Sequence, residues 1–289
     1  MRCNLALGFV LLVLTLGCGG GTPESGGTAP AAETAAAAAG DGSGALAPII
    51  QASTDADAPD RILDPRADEL LRAMAKLLAG SKAFAFEAEE RFDEIPSGQP
   101  RALLSNLRRV AVQRPNRFAA DAEGDTLSRS VWFDGENVSV YDRTQNTYAR
   151  IPASGSIDNA LDTLAEKYAA TVPLADLLYS DPYAVLNQEV TYSKYLGLHR
   201  AAGVLCHHLV FAQPTIEWQI WIESGDQPLP RQLVITYVRE PGEPQYTAVL
   251  TKWRMTQAIP DNLFRFEAPE GAQRVDAASL VPRQPGVSE

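Results

Sequence analysis

The sequence predicts a mainly β, α+β domain: a strongly curved antiparallel sheet wrapped over helices. Three observations carry this. An apolar stripe at helical spacing opens the folded region. It gives way to long segments in which apolar and polar residues alternate with period two. A helical insertion then divides those segments into two runs of consecutive strands.

The opening helix has clear limits. Asp64 is an N-cap residue, Pro65 suits the first helical position, and Gly80 follows the last turn. Between them Leu70, Leu71, Met74, Leu77 and Leu78 form one stripe. The period then switches: Phe84, Phe86, Ala88 and Phe92 alternate with Glu87, Glu89 and Arg91, the pattern of a strand with one dry and one wet face. Further strands are expected at Leu103 to Gln113, Arg117 to Ala122, Ser128 to Phe133, Asn137 to Tyr141 and Thr147 to Ile151. Arg114-Pro115-Asn116 and Asp134-Gly135 are among the turns that separate them. Ser156 then caps a helix with Ile157, Leu161, Leu164 and Tyr168 on one face. Pro173 begins a short helix carrying Leu174, Leu177 and Leu178, and Asp181-Pro182 begins another carrying Tyr183 and Leu186. Strands resume at Glu189 to Leu198, Val204 to Phe211, Ile216 to Glu223, Gln232 to Arg239 and Gln245 to Thr256. In the third of these Ile216, Trp218, Ile220 and Ile222 alternate with Glu217, Gln219 and Glu223.

Ahead of this domain the chain reads as an export signal and a tether. Arg2 precedes an apolar run from Leu5 to Leu16, too short to span a bilayer, which takes about 20 residues. The run ends in Gly17-Cys18, and this junction resembles the lipobox of bacterial lipoproteins, in which the signal is cut before the cysteine and the cysteine is lipidated. Thr15 departs from that family's usual leucine three residues before the cysteine. Plain secretion into the periplasm is the alternative. From Gly19 to about Asp60 the chain is Gly, Ala, Ser, Thr and Pro with scattered acids. Such a segment cannot bury enough surface to offset its ordering entropy and reaches about 35 Å as a flexible linker. The expected organisation is therefore a signal peptide over 1–17, a tether over 18–62, a folded domain over 63–275 and a flexible tail over 276–289.

Composition excludes several functions. The formal charge is -11, and it becomes -12 when the +1 of Arg2 leaves with the signal. With no basic run, nucleic-acid binding and electrostatic docking on anionic membrane are not expected. Of three cysteines, Cys3 lies in the signal and Cys18 is the expected anchor, which leaves Cys206 alone and without a disulfide partner. No Gly-x-Ser-x-Gly elbow, phosphate-cradling glycine loop or His-Glu-x-x-His motif is present. Cys206 and His208 share a strand face with His199 nearby, but a zinc site needs two more ligands, and neighbouring His207 points to the other face. Neither an enzyme, a metal nor a cofactor is expected. Cys206 reads as a small buried hydrophobe, and Glu87, Glu89, Glu90, Asp93 and Glu94 read as a solvated strand face.

One run supports a wider comparison. Gly203, Cys206, His208, Leu209 and Phe211, then Trp218, Gln219, Trp221 and Ile222, then Pro228-Leu229-Pro230-Arg231 and Leu233 to Thr236 resemble an uncharacterised family of predicted periplasmic proteins. The ending Phe264, Phe266, Pro269, Gly271, Ala272, and upstream Arg114-Pro115-Asn116 and Trp132-Phe133-Asp134-Gly135, fit the same pattern. The resemblance covers roughly residues 65 to 275. That family is grouped with the lipoprotein carriers LolA and LolB and with mycobacterial lipoproteins of the LppX and LprG kind. The resemblance implies an incomplete antiparallel half-barrel of roughly eleven strands closed by helices over an apolar cavity. It implies a protein that binds or carries lipid acyl chains or a lipidated protein. Gly19 rather than an aspartate after Cys18 looks like the outer-membrane sorting case, on the periplasmic side.

The residues expected to line such a cavity are Phe84, Phe86, Phe133, Trp218, Ile220, Val249 and Trp253, with Leu161, Leu164, Leu177 and Leu178 as a lid. The competing expectation is that they form an ordinary packed core, which would make the protein a non-enzymatic envelope scaffold.

Overall fold

The computed structural model describes residues 61–95, 100–125, 128–168 and 174–280. Helix α1 (Pro65–Gly80) leads into six strands: β1 (Ala83–Glu94), β2 (Ala102–Gln113), β3 (Arg117–Gly124), β4 (Ser128–Phe133), β5 (Asn137–Asp142) and β6 (Thr147–Pro152). The helical insertion holds α2 (Ile157–Tyr168), a 3₁₀ turn (Ala175–Leu177) and α3 (Pro182–Leu186). Strands β7 (Tyr192–Ala201), β8 (Val204–Ala212), β9 (Glu217–Glu223), β10 (Pro230–Thr236) and β11 (Gln245–Thr256) follow. A second 3₁₀ turn (Asp261–Phe264), the two-residue β12 (Gln273–Arg274) and α4 (Ala277–Leu280) complete the described chain.

All twelve strands lie in one curved, unclosed sheet ordered β12-β6-β5-β4-β3-β2-β1-β11-β10-β9-β8-β7. Every neighbouring pair is antiparallel except β12 with β6. The sheet is two hairpin meanders joined where β1 pairs with β11, so its seam brings together strands from opposite ends of the domain. Edges expose unpaired backbone groups, and both are covered. On one side Ile62 bridges β7, donating to the Thr191 carbonyl and accepting from the Ser193 amide, each at 2.9 Å. On the other side β12 covers β6.

The strands take one dry face because their sequences alternate. On β1, Phe84, Phe86, Ala88 and Phe92 point to the concave side, together with Val110 and Val112 of β2 and Phe118 and Ala120 of β3. Leu70, Leu71, Met74 and Leu78 of α1, Leu161 and Leu164 of α2, and Leu177 and Leu178 beside the first 3₁₀ turn join the same core. α1 packs on α3 and, within the sheet, on β7, β8 and β9, whereas α4 packs on β5 and β6.

Two polar residues fix the helices. Asp64 caps α1 with Oδ1, accepting from the Arg66 amide at 2.8 Å, and its Oδ2 accepts from the Tyr195 amide at 2.9 Å. The Tyr195 bond is the largest cause holding this carboxyl below its ordinary value. Arg114, which precedes the cis-Pro115 turn, donates to the carbonyls of Leu78, Leu178 and Tyr179 at 3.3, 2.9 and 2.9 Å. One side chain thereby ties the last turn of α1 to the chain that leaves the 3₁₀ turn.

The chain after β11 crosses the convex side as a strap. Ile259 bonds Gln113, Asp261 pairs with Arg117, and Phe266 sits among Trp132, Tyr148 and Tyr141 at ring distances of 5.1, 5.2 and 5.9 Å. β12 and α4 are additions to the elements expected from the sequence. Ala277 and Leu280 are buried in the core, so the domain continues into the segment expected to be tail.

Candidate functional site

Nine of the residues expected to line a cavity converge on one buried apolar surface. Phe84, Phe86, Phe133, Trp218 and Ile220 on the sheet, and Leu161, Leu164, Leu177 and Leu178 on the helical side, are each no more than 3% exposed and belong to one cluster. Trp218 stacks on Phe211 at 4.1 Å, and its indole N–H has no hydrogen-bond partner. Trp253 joins them by an irregularity. Lys252 has φ of 50°, and the β1–β11 register shifts between Ala85 and Glu87, so two residues of β11 oppose Phe86. This bulge turns Trp253 onto the aromatic face. Its ring lies 4.5 Å from Phe86, its N–H donates to the Pro230 carbonyl at 3.0 Å, and it stays half-buried.

Val249 does not share that face. It opposes Glu89 of β1 and Gln232 of β10, on the convex side, while Tyr246, Ala248 and Leu250 carry the concave row of β11. The run Ala248-Val249-Leu250 is apolar throughout, so alternation could not set its register, and a one-residue slip exchanges faces.

A second difference is chemically richer. Glu90, expected to be solvated, is 1% exposed on the concave side. Arg108 of β2 clamps it through both oxygens at 2.6 and 3.0 Å, and the Tyr246 hydroxyl donates to Oε1 at 2.7 Å. Burial first, then the charge of Glu90, pushes the Tyr246 hydroxyl well above its ordinary pKa. Burial opposes the charge of Arg108, but Glu90 outweighs it and the guanidinium is raised. The signal was present in the sequence: Glu90 falls in register with Phe84, Phe86, Ala88 and Phe92, on the dry side of the alternation. Further along the same face Arg129 of β4 donates to Asp142 of β5 at 2.9 Å. Asp93 is also buried, on the convex side, held by Arg101 at 2.9 Å and by the Gln245 amide at 3.0 Å.

The convex face carries different features. A half-open groove of about 610 Å³ is floored by Ala85, Ala111 and Ala119, walled by Trp132 and Leu263, and bordered by the Lys252–Glu87 ion pair at 2.8 Å. It lies beside the strap, where outward alanines leave the sheet uncovered. On β8, His208 stacks on Trp221 at 3.8 Å, its Nδ1 lies 2.9 Å from the Nδ1 of His199, and its Nε2 lies 2.9 Å from Gln219 Oε1. His207 points the other way and meets the Tyr195 hydroxyl at 3.0 Å. Burial lowers the pKa of both histidines and raises that of the Cys206 thiol, which is fully buried. Such a thiol is held in its unreactive protonated form. Among the described residues no group of three or more His, Cys, Asp or Glu side chains is placed to hold a metal ion.

Cys18 lies outside the described residues. No curated protein sequence matches the chain. Several solved structures are similar at low identity. An uncharacterised conserved protein from Thermus thermophilus is 15% identical, with a TM-score of 0.44 over 73% of this chain and 98% of that one. The lipoprotein LppX of Mycobacterium tuberculosis is 15% identical, with a TM-score of 0.38 over 66% and 96%. A LolA-superfamily protein from Nitrosomonas europaea is 10% identical, with a TM-score of 0.38 over 69% and 97%. A family model matches residues 67–278, nearly the whole described domain, and the chain belongs to that family, the predicted periplasmic proteins of DUF2092.

Proposed function

We propose that this protein is an envelope lipoprotein, tethered through Cys18, that holds an acyl-chain-bearing molecule on the concave face of its sheet and does no covalent chemistry. The family description supports export to the periplasm. The observation that carries the ligand reading is the distribution of side-chain size on that face. Within the sheet, the helices α1 and α4 pack on the two flanks, at β7–β9 and β5–β6. Between them the central strands turn alanines inward, at Ala88, Ala120, Ala122 and Ala248, beside the aromatic wall of Phe84, Phe86 and Trp253. An apolar face with aromatic walls, small central residues and a few convergent polar groups suits an amphiphile.

The near-complete burial of the wall residues favours the second reading, a scaffold with a filled interior. Titration with a fluorescent long-chain fatty acid separates the two. Saturable micromolar uptake with a change in tryptophan emission is the expected result. A folded protein that takes up neither the probe nor any component of a lipid extract is the scaffold. Ile220→Glu places an unpaired carboxylate on the buried face and should abolish uptake, with its folding checked first by circular dichroism.

A further inference from the structure

The concave face is not uniformly apolar, and its polar row has a consistent construction. Glu90 of β1 lies beside Arg108 and Asn106 of β2, and on the far side of β3 Arg129 of β4 with Asp142 of β5 continues the same face. Across the ladder most of them face alanine or glycine. Asn106 opposes Gly124, Arg108 opposes both Ala88 and Ala122, Arg129 opposes Ala122, and Glu90 opposes Ala248. Glu90, Arg108 and Arg129 therefore stand beside short side chains, while Asn106 Oδ1 lies against the Gly124 backbone, in the place that a Cβ on that residue would take.

Two hydrogen-bonding groups in this row are unused. Asn106 is 7% exposed, and its side-chain carbonyl oxygen has no partner. The Nε–H of Arg129 is buried and has no partner either. Native interiors rarely leave such groups unmatched. One is an acceptor and the other a donor. The charges are already neutralised in pairs, Arg108 by Glu90 and Arg129 by Asp142.

We propose that this row is a head-group subsite, and that it takes an amphiphile with an uncharged, hydroxyl-bearing head of the acylglycerol kind. Asn106 and Arg129 stand two strands, about 10 Å, apart, so a head-group hydroxyl donates to Asn106 while the ester carbonyl accepts from Arg129. A carboxylate or phosphate offers acceptors alone. It would leave Asn106 unmatched and would sit beside the carboxylates of Glu90 and Asp142. The acyl chain then runs along β1 from Glu90 to Phe84, six residues or about 20 Å. That exceeds the hydrocarbon depth of one bilayer leaflet, half of about 30 Å. The inference rests on the concave face being a ligand site and adds which class of head group it selects.

The test uses purified full-length protein and displacement of a fluorescent acyl probe at pH 8 by three competitors with chains of the same length: 1-palmitoylglycerol, palmitate and hexadecyl phosphate. The glycerol lipid is expected to bind about tenfold more tightly than either anion, the worth of one buried hydrogen bond made or left open. Asn106→Leu should remove that advantage and bring the glycerol lipid level with palmitate. Arg129→Gln should do the same from the other side of the site, which keeps the test alive if one variant fails to fold. Equal or tighter binding of palmitate or hexadecyl phosphate overturns the head-group assignment and leaves an acyl-binding face standing. A preference that survives both substitutions overturns it too. Failure of all three competitors and of the probe to bind overturns the ligand reading itself.

Discussion

Removing Arg108 should destabilise the domain far more than removing the whole ion pair. Arg108 donates two hydrogen bonds to Glu90, at 2.6 and 3.0 Å, and the carboxylate is 1% exposed. In Arg108→Met the apolar stem persists but the charge is gone. Glu90 keeps the Tyr246 hydroxyl and faces Ala248 and Asn106. Breaking a buried pair in this way costs about 3–5 kcal/mol. For a domain of ~200 residues each kcal/mol moves Tm by about 2–4 °C, so a fall of roughly 6–20 °C is expected. Glu90→Leu should cost a similar amount, because it strands a buried guanidinium. The double variant Glu90→Leu/Arg108→Met replaces the pair with apolar groups of similar bulk and should lose no more than about 2 kcal/mol. Urea unfolding of the four proteins closes the double-mutant cycle. If the two single losses simply add in the double variant, or if Arg108→Met costs under 1 kcal/mol, the pair is not the desolvated, mutually dependent unit described above.

The remaining predictions concern the lid and the anchor. Asp176, in the first 3₁₀ turn, has no ion-pair partner among the described residues, and burial pushes its carboxyl from 3.8 up to about 7. Folding thus favours its protonated form, so its contribution is complete below about pH 3.8 and is lost as pH rises to about 7. Urea midpoints should fall across that window and level off above it. Asp176→Asn should flatten the decline, and an undiminished slope in the variant would assign it to another group. Cys18→Ser should move the protein from the membrane to the soluble envelope fraction on cell fractionation, since stable anchoring depends on acyl chains at that residue. Unchanged membrane association would remove the lipid anchor from the proposal.

Much of this architecture was legible because periodicity and punctuation agree. Asp64, Pro65 and Gly80 bound α1, Ser128 to Phe133 and Gln245 to Thr256 match β4 and β11 end to end, and the insertion falls between the meanders as expected. What periodicity could not supply was the face of each residue where the pattern lapses. Val249 sits in an apolar triplet with no alternation to orient it, and Trp253 owes its place to a bulge with Lys252 at positive φ, which no composition rule marks. β12 and α4 are short elements defined by the strand edge and core they meet, so they carry no period of their own. Glu90 is the opposite case. Its position in the alternation places it with Phe84, Phe86, Ala88 and Phe92 on the dry side, while its residue type, shared with Glu87, Glu89 and Glu94, points to water.

The position of that glutamate separates two roles within the polar row. Glu90 on β1 and Tyr246 on β11 lie 156 residues apart and meet across the seam between the two meanders. Arg108 extends the network onto β2. At that seam β11 contains the ambiguous run Ala248-Val249-Leu250, so hydrophobic patterning alone discriminates weakly between registers. A slip by one residue would carry Tyr246 to the convex face and leave Glu90 buried without that donor. The triad therefore supplies the register specificity that the apolar run lacks, and a structural role accounts for it fully. No such account covers Asn106 and Arg129. Their unused groups fix no register and satisfy no backbone, and each lies beside an alanine or glycine. Within one row, then, the satisfied half explains how two meanders find one alignment, and the unsatisfied half is where a ligand has something to add.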